Sequence, residues 1–303
     1  MGVLALVSAV GIVVDDRILV GVPIWTKPFK FSVSFIAYGL SLAWMLSLLP
    51  RGRRVGWWAG TVLSVTSAIE MVLITLQVIR GTRSHFNHAT PFDSAVFSLM
   101  GATVAVLWLA ALVIAVLLLR ARILDRAMAW AVRLSSLIAL AGAAVGFLMV
   151  RPTPEQLAVD DVPISGAHSV GVPDGGPSMP LTGWATTGGD LRVPHFFGMH
   201  ALQLLPLLLI VLAALAARSD RFPGLARLAD EEVRLRLTLT ASAAYAATFV
   251  LLTWQALRGQ ALLAPDGATL AGAGAIVLLG GAAAALSLRT TATSPARAEE
   301  VMA

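Results

Sequence analysis

Five histidines stand in an otherwise apolar chain: His85, His88, His168, His195 and His200. With a few carboxylates they are the side chains best suited to chemistry. The chain has no cysteine, so thiolate metal sites, iron–sulfur clusters, disulfides and a cysteine nucleophile are excluded. Any metal must rest on imidazole and carboxylate. His85, His88, His195 and His200 are therefore the candidate ligands of a divalent metal such as zinc. His85 and His88, three apart, share a face if their segment is helical. His195 and His200, five apart, diverge by about 140° on a helix, so one could bind and the other orient. Glu70, Asp93 and Asp190 are the candidate acid–base groups. Arg80, Arg192, Lys30 and Gln203 are the candidate substrate-binding residues, with Arg80 or Arg192 suited to an anionic group.

The elements that must position these groups are read from composition. Of 303 residues, 57% are hydrophobic and 13% charged, with a mean hydropathy of +0.82. A soluble domain cannot hide that much apolar surface, and the bilayer is its natural solvent. The net charge of +5 does not mark a nucleic-acid partner, because the basic residues form short clusters between apolar runs rather than a stripe. Membrane lipids are the expected partners, and the sequence names no protein partner.

Apolar runs predict an all-α, polytopic bundle of about eight spans: 2–14, 29–49, 57–79, 94–119, 127–150, 195–217, 237–257 and 269–288. The first is short for a span, and seven remain if it does not cross. No signal peptide is evident, since Asp15-Asp16-Arg17 follows the first run in place of a cleavage site. Trp25, Trp44, Trp57, Trp58, Trp130 and Trp254 sit near proposed ends, where indole prefers the interface. The segment "RSDRFPGLARLADEEVRLRL" reads as a linker and a surface helix.

One set of loops carries Arg51, Arg53, Arg54, Arg120, Arg122, Arg126, Arg133, Arg218, Arg221, Arg227, Arg234, Arg236, Arg289 and Arg297. The other, poorer set carries Arg17, Lys27, Lys30, Arg80, Arg83, Arg151, Arg192 and Arg258. The richer set is expected in the cytoplasm together with both termini. The chain reads as one integral membrane domain, 1–303, with an extracytoplasmic cap loop at 151–194 and a cytoplasmic tail at 289–303. The ends "LQVIRG" and "WQALRG", and the openings "KPFKF" and "VPHFF", echo each other. They point to a possible 4+4 parallel repeat with halves 1–150 and 151–288.

Polar groups inside the spans converge in depth. At 1.5 Å per residue, Glu70 lies ~13 Å, His200 ~8 Å and Gln203 ~12 Å from the same ends. A charged group in hydrocarbon costs roughly 2.5–3.5 kcal/mol on insertion scales, so such residues mark function or partnered structure. Glu70 could equally be neutral and hydrogen-bonded between helices, or paired with Lys30. Gln77, Gln203 and Gln255 suit interhelical hydrogen bonds. Lys30 could snorkel, and Arg80 and Arg83 could cap a helix C-terminus. Ser84 beside His85 does not by itself make a dyad, because adjacent side chains seldom reach the required bond. A bis-histidine haem lacks a second histidine at depth, and "PDGGP" reads as turns rather than a phosphate loop.

Four segments, "WTKPFKFSVS", "LQVIRGTRSHFNHATPFD", "GAHSVGVPDGGP" and "GGDLRVPHFFGMHALQLLP", together resemble an uncharacterised family of bacterial polytopic membrane proteins. The resemblance covers roughly residues 15–260 and implies a bacterial inner-membrane location. It brings no activity with it. The nearest functional analogy is to alkaline-ceramidase-like hydrolases, which hold zinc with histidines between helices, although their motifs do not align here.

The resulting expectation is an outward-facing polar site. Its leading use is a metal-dependent hydrolase or transferase acting on a lipid or amphiphile at the outer leaflet. The alternatives are a proton-coupled carrier using Glu70 and a non-catalytic sensor or assembly subunit.

Overall fold

The computed structural model describes residues 1–289. Arg297 and the rest of the expected tail, 290–303, lie outside the described residues. The fold is an all-α polytopic bundle with almost no sheet. Among the described residues, seven helices are long and apolar enough to cross a membrane: α2 (Thr26–Ser47), α3 (Arg53–Ile79), α4 (Pro91–Arg120), α5 (Arg126–Met149), α7 (Arg192–Ala216), α8 (Glu231–Leu257) and α9 (Gly267–Arg289). Helix α1 (Gly2–Val14) has 13 residues. At 1.5 Å each it extends about 20 Å, short of a hydrocarbon core of about 30 Å. It packs along α2 instead.

The helices begin earlier than the apolar runs because capping extends them into polar sequence. Thr90 accepts the Asp93 N–H with Pro91 in the first turn, and Asp125 accepts from Met128 N–H. Asp230 caps α8, and Glu231 and Glu232 sit where the helix dipole favours negative charge. That cap corrects one expectation: the acidic–basic stretch is no separate surface helix. A 3-10 segment, Pro223–Ala229, leads directly into the first turns of α8.

Valine, leucine and isoleucine side chains on the outward faces of α3, α4 and α9 are exposed, as a lipid-facing surface requires. The interior splits into two halves. Leu42, Met45, Leu49, Ile114, Leu118 and Val132 fill the half toward the 47–53 and 120–126 turns. The half toward the longer loops holds most of the buried charged residues. Helix α5 crosses α7 at Gly142 and Gly198, where a Cβ on either glycine would lie 2.6 Å from the other's backbone. Such close approach needs small residues.

Three loops meet over that end. The 15–25 loop carries a tiny hairpin, β1 (Ile18–Leu19) and β2 (Val22–Pro23). The 80–90 loop pairs with 163–165 through His88 N–H to Pro163 O, 2.8 Å, and Ser165 N–H to Phe86 O, 2.9 Å. The 150–191 loop folds as a cap. It starts with a short helix, α6 (Pro154–Leu157), closed by a Thr153–Gln156 capping box. Its strands β3 (Ser169–Val170) and β4 (Gly189–Asp190) pair antiparallel.

Gly142→Ala is expected to force α5 and α7 apart and to lower stability by about 1–3 kcal/mol, the usual cost of overpacking. Thermal unfolding of the detergent-solubilised protein checks this; an unchanged midpoint would contradict the crossing.

Candidate functional site

A cavity of about 130 Å³ lies under the cap, similar in size to one that admits a benzene, roughly 150 Å³. Its walls come from the 15–25 loop, the first turns of α2, the 80–90 loop, the cap and the start of α7. Phe31, Val20, Val22, Phe86 and Phe196 make it largely apolar. Four cations line it: Lys27, Lys30, Arg83 and Arg192. Asp174 is the one carboxylate among its described lining residues.

The four cations divide by what they touch. Lys30 Nζ donates to Thr182 O at 2.7 Å, tying α2 to the cap. Arg192 grips Asp190 with Nε to Oδ1 at 2.9 Å and Nη2 to Oδ2 at 2.6 Å, and it also donates to Gly183 O at 2.6 Å. Lys27 and the Arg83 guanidinium have no hydrogen-bond or ion-pair partner among the described residues. Lys27 lies 5.8 Å over the Phe31 ring. Lys30 and Arg192, expected to hold substrate, are thus engaged in holding the cap. The free cations are Lys27, not singled out as a substrate contact, and Arg83, read as a helix cap. For Lys27 a signal was present in the sequence, since it shares one helical face with Lys30 at a spacing of three.

His85 projects into the cavity, with Ser84 beside it. Ser84 is buried, and its Oγ lies 3.2 Å from His85 Nδ1, so the adjacent pair does meet, contrary to the expectation from spacing. On the far side of the ring, His85 Nε2 is 3.7 Å from Glu70 Oε1. Glu70 is 1% exposed, and neither of its carboxyl oxygens has a hydrogen-bond partner among the described residues. Phe31, Phe86 and Phe97 surround the imidazole edge-on or tilted.

His88 does not share that face. The 80–90 segment is not helical, and Phe86 takes a left-handed φ of 65°, so His85 turns inward and His88 outward. His88 is exposed and lies 3.3 Å from Ser94 Oγ. Such a φ costs a non-glycine residue about 1–3 kcal/mol, and here the buried ring, packed on His85, Phe97 and His168, holds it.

The remaining candidates are placed elsewhere or already engaged. Asp93 accepts from Gln77 Nε2 at 2.9 Å, from Thr90 Oγ1 at 2.6 Å and from Arg80, so Arg80 and Asp93 lock α3 to α4. Asp190 also accepts the Ala185 N–H at 2.8 Å. His195 Nδ1 donates to Gly142 O at 2.8 Å, at the glycine crossing. His200 Nδ1 lies 3.3 Å from Gln203 Oε1. Among the described residues, no three His, Asp or Glu side chains gather as a metal site. A catalytic zinc needs three protein ligands, whereas the Glu70–His85 pair supplies two. The donor set present does not fit that ion.

Inside the cap, Asp174 accepts from His168 Nδ1 at 2.9 Å and from the Ser169 N–H at 2.9 Å. Burial would raise the Asp174 carboxyl, but these donors outweigh it and hold the group well below the usual carboxylate range. Burial pushes His168 below the ordinary histidine value despite Asp174. Burial, then the charge of Lys27, pushes His85 well below it. Both imidazoles are therefore neutral at pH 7.

Comparison with protein-family models, with curated proteins and with solved structures finds no match to this chain.

Two outcomes follow from this geometry. Arg192→Ala leaves Asp190 buried without its cation and is expected to destabilise the cap by about 3–5 kcal/mol. Hydrogen exchange should then speed up across 166–191 while α5 keeps its protection; uniform protection would contradict the latch. For pH, His85 and His168 have folded values below the unfolded value of about 6.5. The unfolded chain thus binds more protons on acidification. The stability held by the neutral rings is complete above about pH 6.5 and declines as pH falls from there toward the depressed values. A thermal midpoint flat between pH 7 and 5 would refute this.

Proposed function

We propose that the chain is a bacterial inner-membrane enzyme that takes the head of an anionic amphiphile into the capped cavity and performs acid–base chemistry on it with His85. The observation that carries the reading is the pair of unpartnered cations, Lys27 and Arg83, facing the same small cavity as His85. Unpaired charge in a poorly hydrated pocket is costly, and an arriving anion relieves that cost. The apolar wall of Val20, Val22, Phe31 and Phe196 suits the base of a hydrophobic tail. Neutral His85 is in the form a general base requires at pH 7. Glu70, at its far nitrogen, would favour the imidazolium formed during reaction.

The sidedness rests on charge. The Arg-rich turns at 51–54, 120–126 and 218–236 lie at the end opposite the cavity. By the positive-inside rule that end faces the cytoplasm, and the cavity opens on the other side. A carrier driven through Glu70 is less favoured, because the half of the bundle beyond it is filled by Met45, Leu49, Ile114 and Leu118. Among the buried hydroxyls there, Thr66, Ser67, Ser135 and Ser136 bond carbonyls of their own helices, while those of Thr238 and Ser242 on α8 have no partner among the described residues.

Binding to purified protein tests the reading. Fatty-acid or lysophosphatidate analogues should bind more tightly than a zwitterionic lysolipid of equal chain length, and binding should weaken with salt. Lys27→Gln and Arg83→Gln should each weaken it by about tenfold or more, since a charge-assisted hydrogen bond contributes roughly 1.5–3 kcal/mol. Equal affinity for both headgroup classes would reject the proposal.

A further inference from the structure

We infer that Ser84 is a nucleophile, and that Ser84, His85 and Glu70 form a charge-relay set that cleaves a carboxylic ester through an acyl-serine intermediate. The inference deepens the anionic-amphiphile reading by naming the bond broken, and it rests on that reading for its substrate class. Its own support is geometric. Nucleophile, base and acid lie in line across one imidazole: Ser84 Oγ at 3.2 Å from Nδ1 and Glu70 Oε1 at 3.7 Å from Nε2. A working triad needs this order, with the base touching the nucleophile on one side and held by a carboxylate on the other. Here the two ring nitrogens exchange roles relative to the serine-protease arrangement, which the chemistry permits because triads are defined by geometry and role.

Three further features fit. Ser84 and His85 both line the cavity, so the hydroxyl is buried yet open to a bound ligand. Glu70 is fully buried with both carboxyl oxygens unpartnered among the described residues, so it is free to take up the Nε2 proton bond. The 3.7 Å gap is longer than a hydrogen bond, and catalytic contacts are commonly long before substrate binds. The unpartnered Lys27 and Arg83 supply positive charge for an oxyanion.

The step balances as follows. Ser84 Oγ attacks the ester carbonyl carbon, and its proton passes to His85 Nδ1 as the C–O bond forms. The tetrahedral intermediate collapses by breaking the bond to the alcohol oxygen, which leaves with the proton from His85. Water then attacks the acyl-serine carbonyl and gives a proton to His85. The acid departs, and Ser84 recovers its hydrogen. Ester and water become acid and alcohol, with no oxidant or further reactant.

Labelling of the full-length protein in detergent with a fluorophosphonate tests this, read by intact mass and peptide mapping. A single adduct on Ser84 is expected. It should vanish in Ser84→Ala and slow at least tenfold in His85→Gln. Glu70→Gln, a change at a positioning residue, should slow it less and shift its pH profile. Because the natural chain has no cysteine, Ser84→Cys adds a single thiol. Its alkylation should continue below the pH at which an unperturbed thiol stops reacting. No adduct at Ser84 in protein that binds the anionic amphiphile overturns the nucleophile and leaves the binding reading standing. An adduct in protein without headgroup preference supports the nucleophile and sinks the binding reading. Labelling indifferent to His85→Gln, or an ordinary thiol profile in Ser84→Cys, overturns the relay.

Discussion

The ion pair between Arg192 and Asp190 is the contact on which the cavity depends. The cap is long and has little regular structure beyond one helical turn and a two-residue ladder. Hydrophobic burial alone would not fix such a segment, since backbone ordering costs about 1–2 kcal/mol per residue. Asp190 joins the parts. One oxygen accepts from the N–H and Nε of Arg192, the other from Arg192 Nη2 and the Ala185 N–H. Every lone-pair direction is used, the condition under which a buried charge is tolerated. Since Arg192 opens α7 and Asp190 closes the ladder to Ser169, this pair fixes the cap to the bundle.

The latch also determines the field inside. Arg192 is neutralised by Asp190, and Lys30 is bound to a carbonyl dipole. The net charge left facing the cavity is that of Lys27 and Arg83 against Asp174, and Asp174 is itself engaged by His168 and two backbone N–H groups. The cap therefore consumes the negative charge it brings and leaves the walls positive. A low-dielectric pocket magnifies that imbalance. Burial first, and then the charge of Lys27, hold His85 below the ordinary histidine value.

The spans were legible because hydrocarbon imposes a length and a composition on any helix that crosses it. The expected 94–119 and 127–150 runs differ from α4 and α5 only at the ends, where the Thr90 cap adds about one turn and the Asp125 cap one residue. The site was less legible. A sequence shows that Asp93, Asp190 and Glu70 are acids near one end of the bundle but not which are already satisfied. It gave no sign that Phe86 would reverse the chain and split His85 from His88. Adjacent side chains such as Ser84 and His85 rarely meet in regular structure; they meet here because the 80–90 loop is held irregular by its pairing with 163–165. Lys27 was overlooked because a lysine at a helix start resembles an interfacial anchor.

Hydrogen-bond saturation separates the three acids. Asp93 and Asp190 each sit among several donors at 2.5–2.9 Å, and a carboxylate so surrounded is a structural joint. Glu70 is as deeply buried and has no hydrogen-bond donor among the described residues. Folding gains nothing from it that a leucine would not supply better, since an unsatisfied buried polar group costs about 1–3 kcal/mol. Its one ionisable neighbour within ion-pair range among the described residues is the neutral ring of His85, 3.7 Å away, and that ring faces the cavity. A carboxyl so placed, one imidazole away from a ligand-sized space, is the buried acid that folding alone does not account for.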